Sequence, residues 1–191
     1  MTPDHSPADD DCEIAGRLTR LVQVVPDQQT RARPVPVDGW TARDVVGHLV
    51  GWFPGLLQAG AGSTLPVGVH VEDDPSGAWR TPRDGVQAVL DDPAGEARAL
   101  SHPRIGTLPL GSAVSRYVTA DAFLPTWGLA RATDQDATLD RKGCAVLLEG
   151  LQPVDDVLRA SGQDGPRVPV PDDVDPQTQL LGFVGRDPLA R

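Results

Sequence analysis

With 191 residues, the chain is long enough for one domain with a single buried core and short for two. Its 27 acidic side chains against 17 basic ones give a net charge of -10, which makes nucleic acid and anionic membrane surfaces poor partners. No apolar run reaches the roughly 18 residues of a membrane span, and Cys12 and Cys144 are too few for a disulfide framework. We expect a cytoplasmic protein with two free thiols.

The acidic residues concentrate in short runs at 9–11, 72–74, 91–92 and 172–173. Such runs are typical of helix starts and loop ends, where water and backbone N–H groups solvate the carboxylates. We interpret all of them as solvated caps.

Two helices are predicted in the first third of the chain. Apolar residues recur at helical spacing over 8–25, and again over 41–60, where Asp44 closes a capping box. Pro54 lies inside the second helix and should kink or end it near Trp52.

The middle of the chain is less regular. Segment 75–90 has a helical pattern that Pro82 and Gly85 interrupt, and 99–111 has the composition of an irregular or short extended connection. Long helical patterns return over 112–133 and 140–160.

Four long helical segments predict an all-α fold, a four-helix bundle with irregular connections. We expect one domain over 1–191, with a core at about 8–161 and a C-terminal arm at 162–191. The arm is rich in proline and should end in a short helix near 175–184 that packs back on the bundle.

Sites in helix bundles are built from side chains that face inward on neighbouring helices. His48 beside an apolar stripe and Asp121 one turn after Tyr117 are such residues. A carboxylate and a residue four positions later share a helix face, so an acid-x-x-x-His pair with a histidine from another helix makes a three-ligand metal site. Here the fourth position after Asp121 is Pro125, which offers no ligand.

Three blocks carry a family resemblance: DGWTARDVVGHL with His48, ADAFLPTWGLARAT with Asp121 and Pro125, and VPVPDDVDPQTQLLGFVGR, which ends at Arg186. Together they resemble the DinB-like, mycothiol-dependent maleylpyruvate isomerase superfamily, in its actinobacterial metal-binding branch. The blocks lie near the start, middle and end, so the resemblance spans most of the chain.

The resemblance implies a four-helix bundle with zinc or nickel, which orients a thiol such as mycothiol or activates a water. It assigns His48 and Asp121 as two ligands and places Pro125 where the second histidine belongs. Gly128 departs as well, since the family pattern has aspartate after the tryptophan. We therefore expect no tightly bound catalytic metal and no cofactor.

Several neighbours are candidates for substrate contact. Tyr117 is a candidate hydrogen-bond donor in catalysis, with ordinary helix packing as the alternative. We interpret Trp40, Trp52 and Trp127 as core and pocket wall. Arg131, and after it Arg116, are candidate partners for a substrate carboxylate, although arginines on helices are usually solvated.

The leading hypothesis is a small-molecule enzyme of specialised metabolism that uses His48 and Asp121 as a metal-free acid-base pair for isomerisation, elimination or cyclisation. One alternative keeps a weakly held zinc or nickel and a mycothiol cosubstrate. Another is a non-catalytic protein that binds or sequesters a small ligand. The sequence leaves the oligomeric state open, a homodimer included.

Overall fold

The computed structural model of the chain describes residues 6–25, 28–37, 39–103, 106–156, 159 and 165–188. Its α-helices within those ranges are α1 (Pro7–Val22), α2 (Gln28–Arg31), α3 (Ala42–Ala61), α4 (Pro75–Asp91), α5 (Pro93–Ala97), α6 (Leu110–Ala113), α7 (Ala120–Ala132), α8 (Arg141–Leu151) and α9 (Pro176–Phe183). A π-helix, Val114–Thr119, joins α6 to α7, and a 3-10 turn, Gln152–Val154, follows α8. Strands β1 (Ala99–His102) and β2 (Gly106–Pro109) form an antiparallel hairpin with Leu100 opposite Leu108.

Capping boxes start the two helices predicted in the first third of the chain. The Ser6 hydroxyl accepts a hydrogen bond from the backbone N–H of Asp9, and the Asp9 carboxylate accepts one from the backbone N–H of Ser6. Thr41 and Asp44 make the same two bonds at the start of α3. Each box satisfies backbone N–H groups that have no partner inside the helix. Both predicted starts are therefore confirmed to within two residues.

Four helical units enclose the main core: α1, α3, α4, and the π-helix with α7. The fourth predicted member of the bundle, 140–160, is not among them, because α4 takes its place. Trp79, Pro82 and Val86 are buried on α4, so burial outweighs the cost of the proline and glycine in that segment. The all-α prediction is confirmed, while the assignment of the fourth bundle helix is wrong.

Prolines lie inside three of the helices without ending them. In particular, α3 continues past Pro54 to Ala61 and ends at Gly62, whose positive φ of 64° gives the helix a left-handed cap. Of the two predicted effects of Pro54, an end of the helix near Trp52 is therefore wrong, and a kink there stays a prediction. None of the described helices combines the length and apolar character required to cross a membrane.

A second apolar cluster lies on the opposite side of α7, between α7, α8 and α9. Phe123 and Trp127 of α7 meet Cys144 of α8 and Leu181 of α9 there. The predicted C-terminal helix is confirmed, and it covers α7 and α8. Positions 157–158 and 160–164, where the predicted fourth helix ends and the arm begins, lie outside the described residues.

Candidate functional site

A histidine and a tryptophan of α3 converge on one aspartate of α7. His48 Nε2 lies 3.1 Å from Asp121 Oδ2, and Trp52 Nε1 donates to the same oxygen at 2.9 Å. The side chains of His48 and Asp121 are 27% and 29% exposed, so a molecule in solvent can reach the pair. The structure thus brings together the two residues that the sequence predicts as neighbours.

Helix geometry places these side chains. His48 and Trp52 are four residues apart and therefore lie one turn apart on the same face of α3. Asp121 is the second residue of α7, directly after the π-helix. Because α3 and α7 pack against each other in the bundle, their polar positions meet across the groove between them.

Contact with an ionised Asp121 selects one tautomer of the His48 imidazole. A carboxylate only accepts hydrogen bonds, so His48 carries a proton on Nε2 where it faces Asp121 Oδ2. In the neutral imidazole Nδ1 then holds a lone pair. Asp121 Oδ1 makes no hydrogen bond within the described part of the chain. His48 Nδ1 and Asp121 Oδ1 are thus the two acceptor atoms that the pair offers to a ligand.

Aromatic rings flank the imidazole. The Trp40 ring centroid lies 5.3 Å from that of His48 at an interplanar angle of 58°, and Trp52 lies at 6.4 Å and 34°. Trp40 also borders a shallow concavity of about 400 Å³, formed by residues 34–37 and 39–41. An apolar wall therefore adjoins the polar pair.

The remaining candidates are placed less centrally. Tyr117 is half-buried in the π-helix, and the exposed Arg116 guanidinium lies 5.7 Å from its ring centroid. Trp127 is buried in the second cluster, with the Arg131 guanidinium 5.8 Å from its ring centroid. Trp127 is therefore a core residue and not a wall of the His48 groove.

The donor set at this site does not fit a three-ligand metal centre. Pro125 lies in α7 four residues after Asp121 and has no donor atom. An ideal Cβ at Gly128 would lie 3.9 Å from Val35 and Pro36, so this position faces the loop that forms the concavity and offers no ligand either. Within the described ranges, no group of three His, Cys, Asp or Glu side chains is arranged to hold a metal.

The cysteines are free thiols, as predicted. Burial, reinforced by the carboxylates of Asp140 and Asp175, raises the pKa of Cys144 to about 12. Its thiolate is therefore scarce at neutral pH.

One carboxylate of structural importance was misinterpreted from the sequence. Asp11 belongs to the acidic run 9–11, which we expected to be solvated, yet its side chain is buried and bonded to Thr119. The signal was its position, because Asp11 lies three, four and seven residues before Ile14, Ala15 and Leu18 on the apolar stripe of α1.

Comparison with known families agrees with this architecture. Residues 13–139 match the family described as the mycothiol maleylpyruvate isomerase N-terminal domain. The match covers about two thirds of the chain and includes His48 and Asp121, while α8 and α9 lie beyond it. Comparisons with curated proteins and with solved structures found no match. The helical bundle and the family match together show that this chain belongs to the mycothiol maleylpyruvate isomerase N-terminal domain family, within the DinB-like superfamily.

Proposed function

We propose that the chain is an enzyme that moves a proton within a small organic substrate, using His48 and Asp121 without a metal. The observation that carries the proposal is the 3.1 Å contact between His48 Nε2 and Asp121 Oδ2 in a groove open to solvent. Histidine exchanges protons in the physiological pH range, and a carboxylate on one ring nitrogen fixes the tautomer and stabilises the imidazolium.

The proposed step begins with the lone pair of His48 Nδ1, which takes a proton from an acidic C–H or O–H of the substrate. The electron pair of that bond moves into the substrate, and Asp121 stabilises the imidazolium through Nε2–H. The imidazolium then returns the proton at another substrate atom, which gives isomerisation. Alternatively, the electron pair expels a leaving group, which takes the proton from the imidazolium and gives elimination, or attacks an internal electrophile, whose new anion takes that proton and gives cyclisation.

The groove favours a substrate with an apolar body and a hydrogen-bond donor. Asp121 Oδ1 can accept an N–H or O–H from the substrate, since Oδ2 already accepts from His48 and Trp52. The Trp40 ring and the neighbouring concavity offer apolar surface to the rest of the molecule. Tyr117 and Arg116, about one turn before Asp121, are the candidates for contact with a substrate oxygen, ahead of Arg131, whose guanidinium lies against Trp127 of the second cluster.

A metal-dependent reaction is the weaker alternative because catalytic zinc sites use three protein ligands, and Pro125 removes the third. The proposed chemistry therefore uses the side chains of the groove alone. Metal content still tests the choice. We expect less than stoichiometric zinc and nickel in protein purified without chelator, and we expect His48→Ala to leave that content unchanged.

The reaction class is tested by exchange of substrate hydrogen with solvent. The purified protein is incubated in deuterium oxide with a panel of carbonyl compounds that carry an acidic C–H, and deuterium incorporation is followed by proton NMR. We expect wild type to accelerate incorporation into at least one compound, and His48→Gln and Asp121→Asn to lose that effect. His70→Gln changes an exposed loop histidine and is the matched control.

Three results would overturn the proposal. Stoichiometric zinc or nickel that disappears in His48→Ala would favour the metal- and thiol-dependent alternative. Exchange that persists in folded His48→Gln would remove His48 from the reaction. Tight binding of a panel compound, measured by calorimetry, without any exchange would favour a binding or sequestering protein.

A further inference from the structure

A carboxylate of α1 is buried in the core of the bundle. Asp11 of α1 is 3% exposed, and its Oδ1 accepts a hydrogen bond of 2.9 Å from the hydroxyl of Thr119, which is 1% exposed. Asp11 is the only charged residue among the buried side chains of the described chain. The bond connects α1 to the last residue of the π-helix.

This carboxylate is a costly choice for a core position. Its second oxygen, Oδ2, is buried without a hydrogen-bond partner, as is Nε of Arg83 on α4. Both residues line a cavity of about 10 Å³, room for one water molecule at most. An apolar residue of similar size would pack there without the desolvation penalty, so stability alone does not account for Asp11.

Thr119 ends a turn of unusual geometry. The N–H of Ala120 reaches back five residues to the carbonyl of Ser115, the bond that defines a π-turn, and α-helical bonding resumes in α7. Such turns are rare in proteins, but many of those that occur lie at functional sites. The extra residue in the turn changes the direction in which the following side chains point. Here the first turn that follows contains Asp121.

The same stretch of helix therefore makes contacts on two sides, one with α1 in the core and one with α3. Thr119 donates into the core to Asp11, and two residues later Asp121 accepts from His48 and Trp52 on α3. We infer that Asp11 and Thr119 are positioning residues, whose hydrogen bond fixes the rotation of the π-helix and thereby the placement of Asp121 against His48. The catalytic consequence of this inference rests on the proposed function.

The Trp52 indole N–H reports on this placement directly, because it donates to Asp121 Oδ2. In a proton–nitrogen NMR spectrum its resonance moves when the position of the carboxylate changes, whether or not a substrate is known. Trp52→Phe assigns the signal by removing it. The indole of Trp127, in the second cluster, is the internal control.

Thr119→Val keeps the shape of the side chain and removes the hydroxyl donor, while Thr119→Ser keeps the donor. We expect the valine variant, and Asp11→Leu, to shift the Trp52 signal and leave that of Trp127 in place. Thr119→Ser and Asp11→Asn, which retain donor and acceptor, should preserve the wild-type position. If the valine variant does not fold, Thr119→Ala carries the same test with a smaller side chain.

With a substrate from the exchange panel, we expect Thr119→Val to lower kcat about 10- to 100-fold at nearly constant KM, the size of effect expected from a displaced catalytic group. A Trp52 signal that stays unchanged in a folded but less stable Thr119→Val protein would overturn the inference and leave Asp11 as a packing residue. A shifted signal in a protein without exchange activity would uphold the positioning role and refute the proposed function instead.

Discussion

Two aspartates lie on opposite sides of the helical stretch from Thr119 to Asp121, and their surroundings differ. Asp121 points into a groove open to solvent, where one oxygen accepts two donors and the other faces no partner of the described chain. Asp11 lies in the core, where one oxygen accepts from Thr119 and the other is unsatisfied. An aspartate thus occupies a partly solvated position on one side of this helical stretch and a desolvated position on the other.

The difference separates two roles for a carboxylate. Asp121 can exchange water for a ligand because it is partly exposed, and the donors around it stabilise its charge. Asp11 is buried and does not exchange solvent for a ligand. Burial raises the pKa of Asp11, although the Thr119 hydroxyl and the Arg83 charge both lower it. The partly exposed carboxylate is therefore suited to contact a substrate, whereas the buried one is suited to hold the π-helix in position.

The largest loss of stability is expected at Phe53, whose ring lies between the cavity beside Asp11 and the Trp52 ring beside Asp121. Phe53 is buried, lines the cavity beside Asp11, and meets the ring of Trp52 edge-on at 6.5 Å. Phe53→Ala should cost about 3–5 kcal/mol in the free energy of unfolding, measured in urea. It should also admit water to Asp11, so that the pKa of this carboxyl moves back towards its ordinary value.

The matched control is Phe123→Ala, which removes a ring from the second cluster on the far side of α7. A similar loss of stability is expected there, without any change in the titration of Asp11. If both variants change the pH dependence of unfolding equally, the two carboxylates are not separated in the way described.

The pH dependence of stability distinguishes the aspartates next. A carboxyl whose pKa is raised on folding holds its proton more tightly in the native state, so its contribution to stability is greatest at low pH and is lost as pH rises through the raised pKa. Asp11→Asn removes that loss. The gap in unfolding free energy between Asp11→Asn and wild type should therefore move in favour of the variant as pH rises through the raised pKa of Asp11.

Urea unfolding at several pH values measures this gap, and Asp121→Asn provides the comparison at the exposed position. A gap between wild type and Asp11→Asn that stays constant with pH would show that Asp11 keeps an ordinary pKa in the folded protein.

A smaller effect is expected at the exposed aspartate. Trp52→Phe keeps a ring beside His48 but removes the N–H that donates to Asp121. Because the site is partly solvated, water replaces much of the bond, and the loss in unfolding free energy should be about 1 kcal/mol. Trp40→Phe is the control, since the Trp40 ring flanks His48 and no hydrogen bond from its indole is present among the described residues. Equal losses in both variants would argue against the Asp121 bond.

The sequence predicted the helices well where local chemistry determines them. The capping box at Thr41 and Asp44 and the apolar spacing of α1 and α3 are local signals, and the structure confirms them. Which helices pack together is a long-range property, however. Segment 75–91 joins the bundle despite Pro82, while 141–151 packs beside α9, and periodicity alone does not distinguish these outcomes.

The site was predictable to the extent that helical position determines it. His48 and Asp121 were singled out as inward-facing polar residues, and they meet. Trp127 was interpreted as core and pocket wall, and only the first half holds, because six residues along the helix from Asp121 turn it towards the second cluster. The π-turn that ends at Thr119 has no sequence signal that we identified, whereas the burial of Asp11 had one in its position on the apolar stripe of α1.

The smallest loss of stability is expected at Glu72, which belongs to the acidic run 72–74 and is exposed to solvent, as predicted. Glu72 pairs with Arg43 at 2.8 Å, with side chains 58% and 38% exposed. Water and salt screen such a pair, so Glu72→Gln should change the unfolding free energy by about 0.5 kcal/mol or less, and the change should vanish in 1 M salt. A loss as large as that of a buried group would contradict the view that burial, more than residue type, sets the energetic weight of a carboxylate in this chain.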